Sequence, residues 1–226
     1  MTNIVFMHVG QDTQLATIMA RSFRLHNPGA RIIQVSDYGS PTIEGTDDVF
    51  RRRPRDNNIM LFRMRCFSEL PIGAPTWFLD TDMLCNRPLE IQADPPMASV
   101  CMREFDRDVI FNHRFRGMDM SEYRGRTLGS IYPYVGCTTR LEQPGFWTDC
   151  LAAMEKLDPK YHNWYGDQEA IRNVVANSSY PVGMLPESLY ACLPEHETGA
   201  ITPFIMHYKG LRKMKMLERA VREGLM

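Results

Sequence analysis

The chain has 226 residues, a formal net charge of -1, 44% hydrophobic residues and 23% charged residues. That length suits a single domain with a sizeable core, and the composition excludes a disordered chain. The near-neutral charge excludes capture of nucleic acid by bulk electrostatics, so any basic binding site has to be local.

The opening stretch MTNIVFMHVGQDTQ has too short an apolar run and no basic region for a signal peptide, and no run of about 18 apolar residues suggests a membrane span. The six cysteines, Cys66, Cys85, Cys101, Cys137, Cys150 and Cys192, form no CxxC pair. They read as reduced, buried thiols of a cytoplasmic protein rather than a disulfide framework or a zinc site. Sixteen methionines lie among core-like residues and read as core filling.

In chain order, Asn3 to Val9 is a short apolar run ending at Gly10 and predicts a buried strand. Gln14 to His26 has helical spacing and is stopped by Asn27-Pro28-Gly29. Arg31 to Val35 is a second strand, closed by Ser36-Asp37-Tyr38-Gly39, so the first unit is a parallel pair with a right-handed crossover. Gly45 to Val49 is a short strand candidate. Arg51 to Arg55, interrupted by Pro54, is a basic loop. Asn58 to Leu70 repeats apolar residues at helical intervals. Thr76 to Leu79 is apolar and β-rich, and Asp80-Thr81-Asp82 follows at once.

Between Asp94 and Arg126 strand-like pieces mix with an Arg-rich segment, Arg103 to Arg126, expected to be a loop-rich insertion serving as a lid or acceptor surface, or simply solvated. Ile131 to Thr139 predicts a strand, Pro144 to Leu157 and Asp167 to Ala176 predict helices, and Ile201 to Tyr208 predicts a late strand. Lys209 to Leu217 begins a basic C-terminal helix, within a basic tail running over 209–226. Strands alternating with helices predict an α/β fold with a mostly parallel central sheet and ligands at the strand C-termini.

An apolar strand ending in Asp80-x-Asp82 places two carboxylates on one side of the sheet edge. Two like charges that close call for a cation, and a divalent ion such as Mn²⁺ or Mg²⁺ supplies it through oxygen ligands. Taken alone, the same pattern also describes a strand end running into a polar turn.

Three further segments give the pattern its context. Met60-Leu61-Phe62-Arg63-Met64-Arg65-Cys66 precedes the aspartates, Tyr165-Gly166-Asp167-Gln168-Glu169 follows them, and His207-Tyr208-Lys209-Gly210-Leu211-Arg212-Lys213 comes near the end. In this order the segments resemble the GT-A glycosyltransferases, most closely the retaining nucleotide-sugar transferases of glycosyltransferase family 8. That family has an Arg-bearing helix, an L-D-x-D strand, a D-Q pair opening a helix and a terminal H-x-x-G-x-x-K.

The resemblance implies a single Rossmann-like GT-A catalytic domain over 1–226 and transfer of a hexose from a nucleotide-diphosphate sugar, UDP-glucose or UDP-galactose, to a glycan or lipid-linked oligosaccharide hydroxyl. It implies that Asp80, Asp82 and His207 hold the metal, that Asp80, Arg63, Gly210 and Lys213 meet the donor diphosphate, and that Asp167 and Gln168 contact the donor sugar. In that reading Asp167 accepts from sugar hydroxyls and Gln168 supports positive charge at the anomeric carbon. Asp167 as a helix cap and Lys213 as a solvated side chain remain open. Topology adds Val9, Gly10, Gln11 and Asp37 as a nucleotide pocket at the ends of the first two strands.

The chain departs from the family where Met214-Lys215 follow Lys213 in place of Pro-Trp, and where Tyr134-Val135-Gly136-Cys137 only loosely matches an Asn-containing strand. Rival readings are a haloacid-dehalogenase-like phosphatase, an inactive nucleotide-sugar binder and a nucleotidyltransferase. The first expects Thr or Val and then Gly after its aspartates, and the last expects a Gly-rich loop after the first strand. The basic tail also admits contact with the inner membrane face.

Overall fold

The computed structural model describes residues 1–54, 58–90, 95–111, 114–115, 118–162 and 165–226. Its main sheet is built from β1 (Asn3–Met7), β2 (Arg31–Ser36), β3 (Asp48–Arg51), β4 (Thr76–Leu79), β6 (Ala98–Met102), β9 (Tyr134–Leu141) and β10 (Val182–Pro186). The strand order is β10-β6-β9-β4-β1-β2-β3. Every neighbouring pair is parallel except those made by β9, which runs antiparallel to both β4 and β6. A second, two-stranded sheet pairs β5 (Met83–Cys85) with β11 (Ile205–His207), and β7 (Arg114–Phe115) forms a small antiparallel ladder with β8 (Met118–Asp119).

Helices α1 (Gln14–His26), α2 (Ile59–Glu69), α3 (Leu128–Ile131), α4 (Phe146–Met154), α5 (Gly166–Asn177), α6 (Glu187–Tyr190) and α7 (Lys213–Arg222) complete the chain. Strand alternation sorts the core into two layers. Ile4, Phe6, Trp77 and Leu79 face one side with α1 and α7, and Val5, Ile33, Val35 and Phe78 face the other with α2, α4 and α5. On that second face Phe78 meets Phe67 and Trp147 at ring-centroid distances of 4.8 and 5.5 Å, which fastens α2 and α4 to β4. A third, smaller cluster of Phe111, Met120, Ile131, Tyr132 and Tyr161 gives the insertion its own apolar centre.

The six cysteines are all free and buried. No helix among the described residues is long and apolar enough to cross a membrane.

Several element bounds differ from the sequence expectations for local reasons. β1 stops at Met7 rather than Val9, although the His8 amide still donates to Val35. β3 is displaced to Asp48–Arg51, so Arg51 belongs to a strand rather than to a basic loop; Arg55 lies outside the described residues. β9 begins at Tyr134, because Thr127 caps the one-turn helix α3 through the Ser130 amide and spends Ile131 there. The late strand shrinks to Ile205–His207, and the C-terminal helix begins only at Lys213, after a 3-10 turn over Gly210–Arg212. The segment Arg103 to Arg126 is more ordered than a loop: it carries β7, β8 and a 3-10 turn at Ser121–Tyr123. Residues 112–113 and 116–117 of that segment lie outside the described residues.

Candidate active site

β1 is the point where the chain order reverses, with β2 on one side and β4 on the other. In open α/β sheets a crevice forms at the C-terminal ends of such strands. Phe6 and Leu79 are paired across β1 and β4, so Met7 and Asp80 come next to each other at the strand ends. Met7, Arg63, Asp80, Thr81 and Asp82 line a cavity of about 170 Å³ there.

The two aspartates occupy the short link from the main sheet to the small one. The Asp80 amide donates to the Cys137 carbonyl at 3.1 Å, and the Tyr208 amide donates to the Asp82 carbonyl at 2.8 Å. Because His207 pairs with Met83 in the β5–β11 ladder, its side chain arrives beside Asp82, with Nε2 3.4 Å from Oδ1. Candidate ligand atoms of Asp80, Asp82 and His207 all lie within 4.8 Å of one another. Two carboxylates and one imidazole form a mixed oxygen and nitrogen donor set that could hold a divalent ion.

Two cations stand against the aspartates, Arg63 at Asp80 and Lys213 at Asp82. Burial works against a charged His207, but the Cys137 sulfur and the Asp82 carboxylate outweigh it and raise the imidazole to about 10. Burial likewise works against the Asp82 carboxylate, which His207 and Lys213 nevertheless hold below its usual range.

Lys213 Nζ lies 3.7 Å from Asp82 Oδ2, and its side chain is half exposed. Gly210, one turn earlier, has φ +66°, and a Cβ there would meet nothing within 4 Å. The left-handed backbone, rather than a shortage of space, is what favours glycine at this position.

Arg63 reaches the cavity from α2, whose first turn is capped by Asn58 accepting from the amides of Met60 and Leu61. Its Nη2 is 2.9 Å from Asp80 Oδ1 and donates to the Gly136 carbonyl at 2.9 Å, while Nη1 is 4.0 Å from Asp167 Oδ2. Burial opposes the guanidinium charge, but Asp80 and Asp167 more than offset it and raise Arg63 further. Burial also raises the Asp167 carboxyl in spite of Arg63.

Asp167 does not cap its helix: the cap position is Tyr165, and Asp167 Oδ1 accepts from the Gln168 amide at 2.8 Å inside the first turn. Its carboxylate lies against β9, where a Cβ on Gly136 would sit 2.3 Å from Asp167 Oδ2. Glycine is thus the residue that admits Asp167 at this point. Gly136 belongs to the segment that matched the family strand only loosely, and pattern reading did not assign it a role. Arg103 was missed too. Assigned to a loop, it is buried at the end of β6 and donates through Nη2 to Gln168 Oε1 at 2.7 Å. No local sequence signal distinguishes it from the other arginines of its segment.

The remaining candidates form a separate wing. The Gly10 amide donates to Ser40 Oγ at 2.8 Å, Gln11 Nε2 donates to the Gly39 carbonyl at 2.9 Å, and the Ser40 amide donates to Asp37 Oδ1 at 2.8 Å. Hydrogen bonds from Ser40 hold the Asp37 carboxyl below its usual range. Val9 is partly exposed beside them. At the far end of the chain, Arg212 pairs with Glu195 and Arg219 with Glu197 and Glu223, so part of the tail's positive charge is neutralised within the fold.

Solved structures share this fold. The galactosyltransferase LgtC, in complex with donor and acceptor sugar analogs, superposes with a TM-score of 0.63 at 13% identity, over 99% of this chain and 100% of that one. The chain has the GT-A fold. An active-site mutant of LgtC superposes with a TM-score of 0.61 at 13% identity, covering 97% of this chain and 95% of that one. No protein-family model matches the sequence, and no curated protein sequence matches it. The motif resemblance to GT-A enzymes and the folded architecture therefore agree across nearly the whole chain.

Proposed function

We propose that the chain is a metal-dependent glycosyltransferase, working as one catalytic domain over 1–226. It moves a hexose from a UDP-linked sugar to a hydroxyl of a glycan or lipid-linked acceptor. The observation that carries this reading is the meeting of Asp80, Asp82 and His207 within 4.8 Å at the sheet's switch point, with Arg63 and Lys213 beside the aspartates.

Asp80, Asp82 and His207 would hold Mn²⁺ or Mg²⁺, which when bound supplies charge neutralisation to the donor diphosphate. Lys213 adds a point charge from the C-terminal side, and Arg63 contributes a fixed fork from α2. The wing at Val9, Gly10, Gln11 and Asp37 takes the base and ribose. Asp167 accepts from hydroxyls of the donor sugar and offers negative potential to a developing oxocarbenium carbon. The chain's contribution is positioning and fixed electrostatics, without a covalent intermediate. Following the family resemblance, the transfer retains anomeric configuration.

The test is release of UDP from UDP-galactose or UDP-glucose by purified protein with Mn²⁺, with the anomer of the released or transferred sugar followed by NMR. Metal-dependent UDP release from either donor supports the reading. Hydrolysis of phosphomonoesters with no binding or turnover of nucleotide sugars contradicts it and favours the phosphatase.

A further inference from the structure

Arg103 stands at the end of β6, where its amide donates to the Pro133 carbonyl at 2.7 Å and its Nε donates to the Tyr132 carbonyl at 2.7 Å. The side chain is therefore anchored to the start of β9 and is 5% exposed. Among the described residues no carboxylate lies within ion-pairing distance of it. Its Nη2 is given to Gln168 Oε1 at 2.7 Å. Burying an unpaired guanidinium is costly, and a neutral side chain could fill the space without that cost. The charge therefore calls for a function.

A guanidinium carries only donors, so the atom of Gln168 that it meets has to be the amide oxygen. That settles an orientation which packing alone leaves open. Oε1 is turned toward the buried cation and its electron density is drawn there. Among the described residues no acceptor meets the Nε2 group, and Gln168 is partly exposed. An amide so held is a poor source of negative potential for an anomeric carbon and a good donor to an oxygen.

We propose that Arg103 is a positioning residue that holds the Gln168 amide with its oxygen inward, so that Gln168 meets the donor sugar as a hydrogen-bond donor through Nε2. The partner is a hydroxyl or ring oxygen of the hexose. This rests on the glycosyltransferase reading and revises what the family resemblance implies for Gln168: Asp167 alone answers the positive charge at the anomeric carbon, and Gln168 orients the sugar.

The test is a double-mutant cycle of Arg103→Met and Gln168→Ala, with Arg103→Lys as the milder variant that keeps a donor. Two quantities are read with Mn²⁺ present: turnover of UDP-galactose or UDP-glucose to UDP, and the affinity difference between UDP-sugar and UDP. Arg103→Met is expected to lower kcat by about 100-fold, the size of effect that misplacement near a reacting centre produces. UDP affinity should not change, the extra affinity of the sugar should be lost, and Arg103→Lys should recover part of the rate. In the Gln168→Ala background Arg103→Met should cost no further rate, whatever it does to Tm.

The proposal is overturned if a folded Arg103→Met or Arg103→Lys keeps full turnover and sugar discrimination. It is equally overturned if the Arg103 substitution lowers the rate by the same factor in both backgrounds, or weakens UDP and UDP-sugar alike. Should Arg103→Met fail to fold, Arg103→Lys carries the cycle. Failure of the wild type to bind UDP or UDP-sugar counts against the underlying function, not against the Arg103 contact.

Discussion

The two wings of the crevice are built by different physics. At residues 8–11 and 37–40 two strand-end loops are tied together by hydrogen bonds between neutral groups and one surface-accessible carboxylate. Around Asp80, Asp82, Asp167, Arg63 and His207, the same crevice is held by charges that are largely out of water. A neutral loop contact contributes about 1 kcal/mol and fails gently. A buried charge leaves its partner stranded when removed and fails hard. The second wing should therefore be much more sensitive than the first to single substitutions and to pH.

The largest expected effect is at Arg63. Arg63→Ala leaves Asp80 and Asp167 without their shared cation, and we expect a loss of about 3 kcal/mol or more in denaturant unfolding. Arg63→Lys should recover little of it, since one ammonium cannot reach Asp80, Asp167 and the Gly136 carbonyl together. Full recovery by lysine would mean that net charge alone matters there.

Next comes Gly136→Ala. The added methyl falls on the Asp167 carboxylate, so we expect a cost of about 1–3 kcal/mol from overpacking and loss of UDP-sugar turnover. Pairing it with Asp167→Ala should relieve the stability cost, which a thermal melt of the double variant checks.

The pH response follows in size. His207 is raised from its ordinary value to about 10 by its neighbours. A raised imidazole stabilises the fold fully below about pH 6.5, its unfolded value, and that contribution is lost as pH climbs toward 10. The Tm of metal-free protein should therefore fall across this window. Stabilisation by Mn²⁺ should grow across it, because the ion competes with the His207 proton. A flat metal response from pH 6.5 to 9 would place His207 outside the ligand set.

The smallest effect belongs to the neutral wing. Asp37→Ala removes the acceptor for the Ser40 amide, with an expected cost of about 1 kcal/mol and weaker UDP binding but an unchanged response to Mn²⁺ alone. Because Asp37 is held below its usual range, its small contribution is present above about pH 4 and lost as pH falls further.

Legibility from sequence divides along similar lines. The strand ending in Asp80-Thr81-Asp82, the Asp167-Gln168 helix start and the His207 to Lys213 run are contiguous, and each announces itself by local pattern. The ladder that carries His207 to Asp82 is three residues long on each strand and pairs segments far apart in the chain, so no periodicity reveals it. The antiparallel insertion of β9 between β4 and β6 is equally silent, because a strand's own sequence does not encode its neighbours' direction. Gly136 and Arg103 matter only through what the fold presses against them, Asp167 in one case and Gln168 in the other. Helix and strand bounds slipped by a few residues where caps such as Thr127 claimed residues that hydrophobicity assigned to a strand.

The most direct test of the central claim compares wild type with Asp82→Ala in thermal melts with UDP, with Mn²⁺ and with both together. The account predicts a stabilisation that needs both ligands in the wild type and disappears in the variant, since binding to the folded state raises Tm by an amount that grows with the logarithm of affinity. A wild type indifferent to UDP and Mn²⁺ together, or an Asp82→Ala variant that keeps the full shift, would contradict the assignment of this crevice as a metal-assisted nucleotide-sugar site.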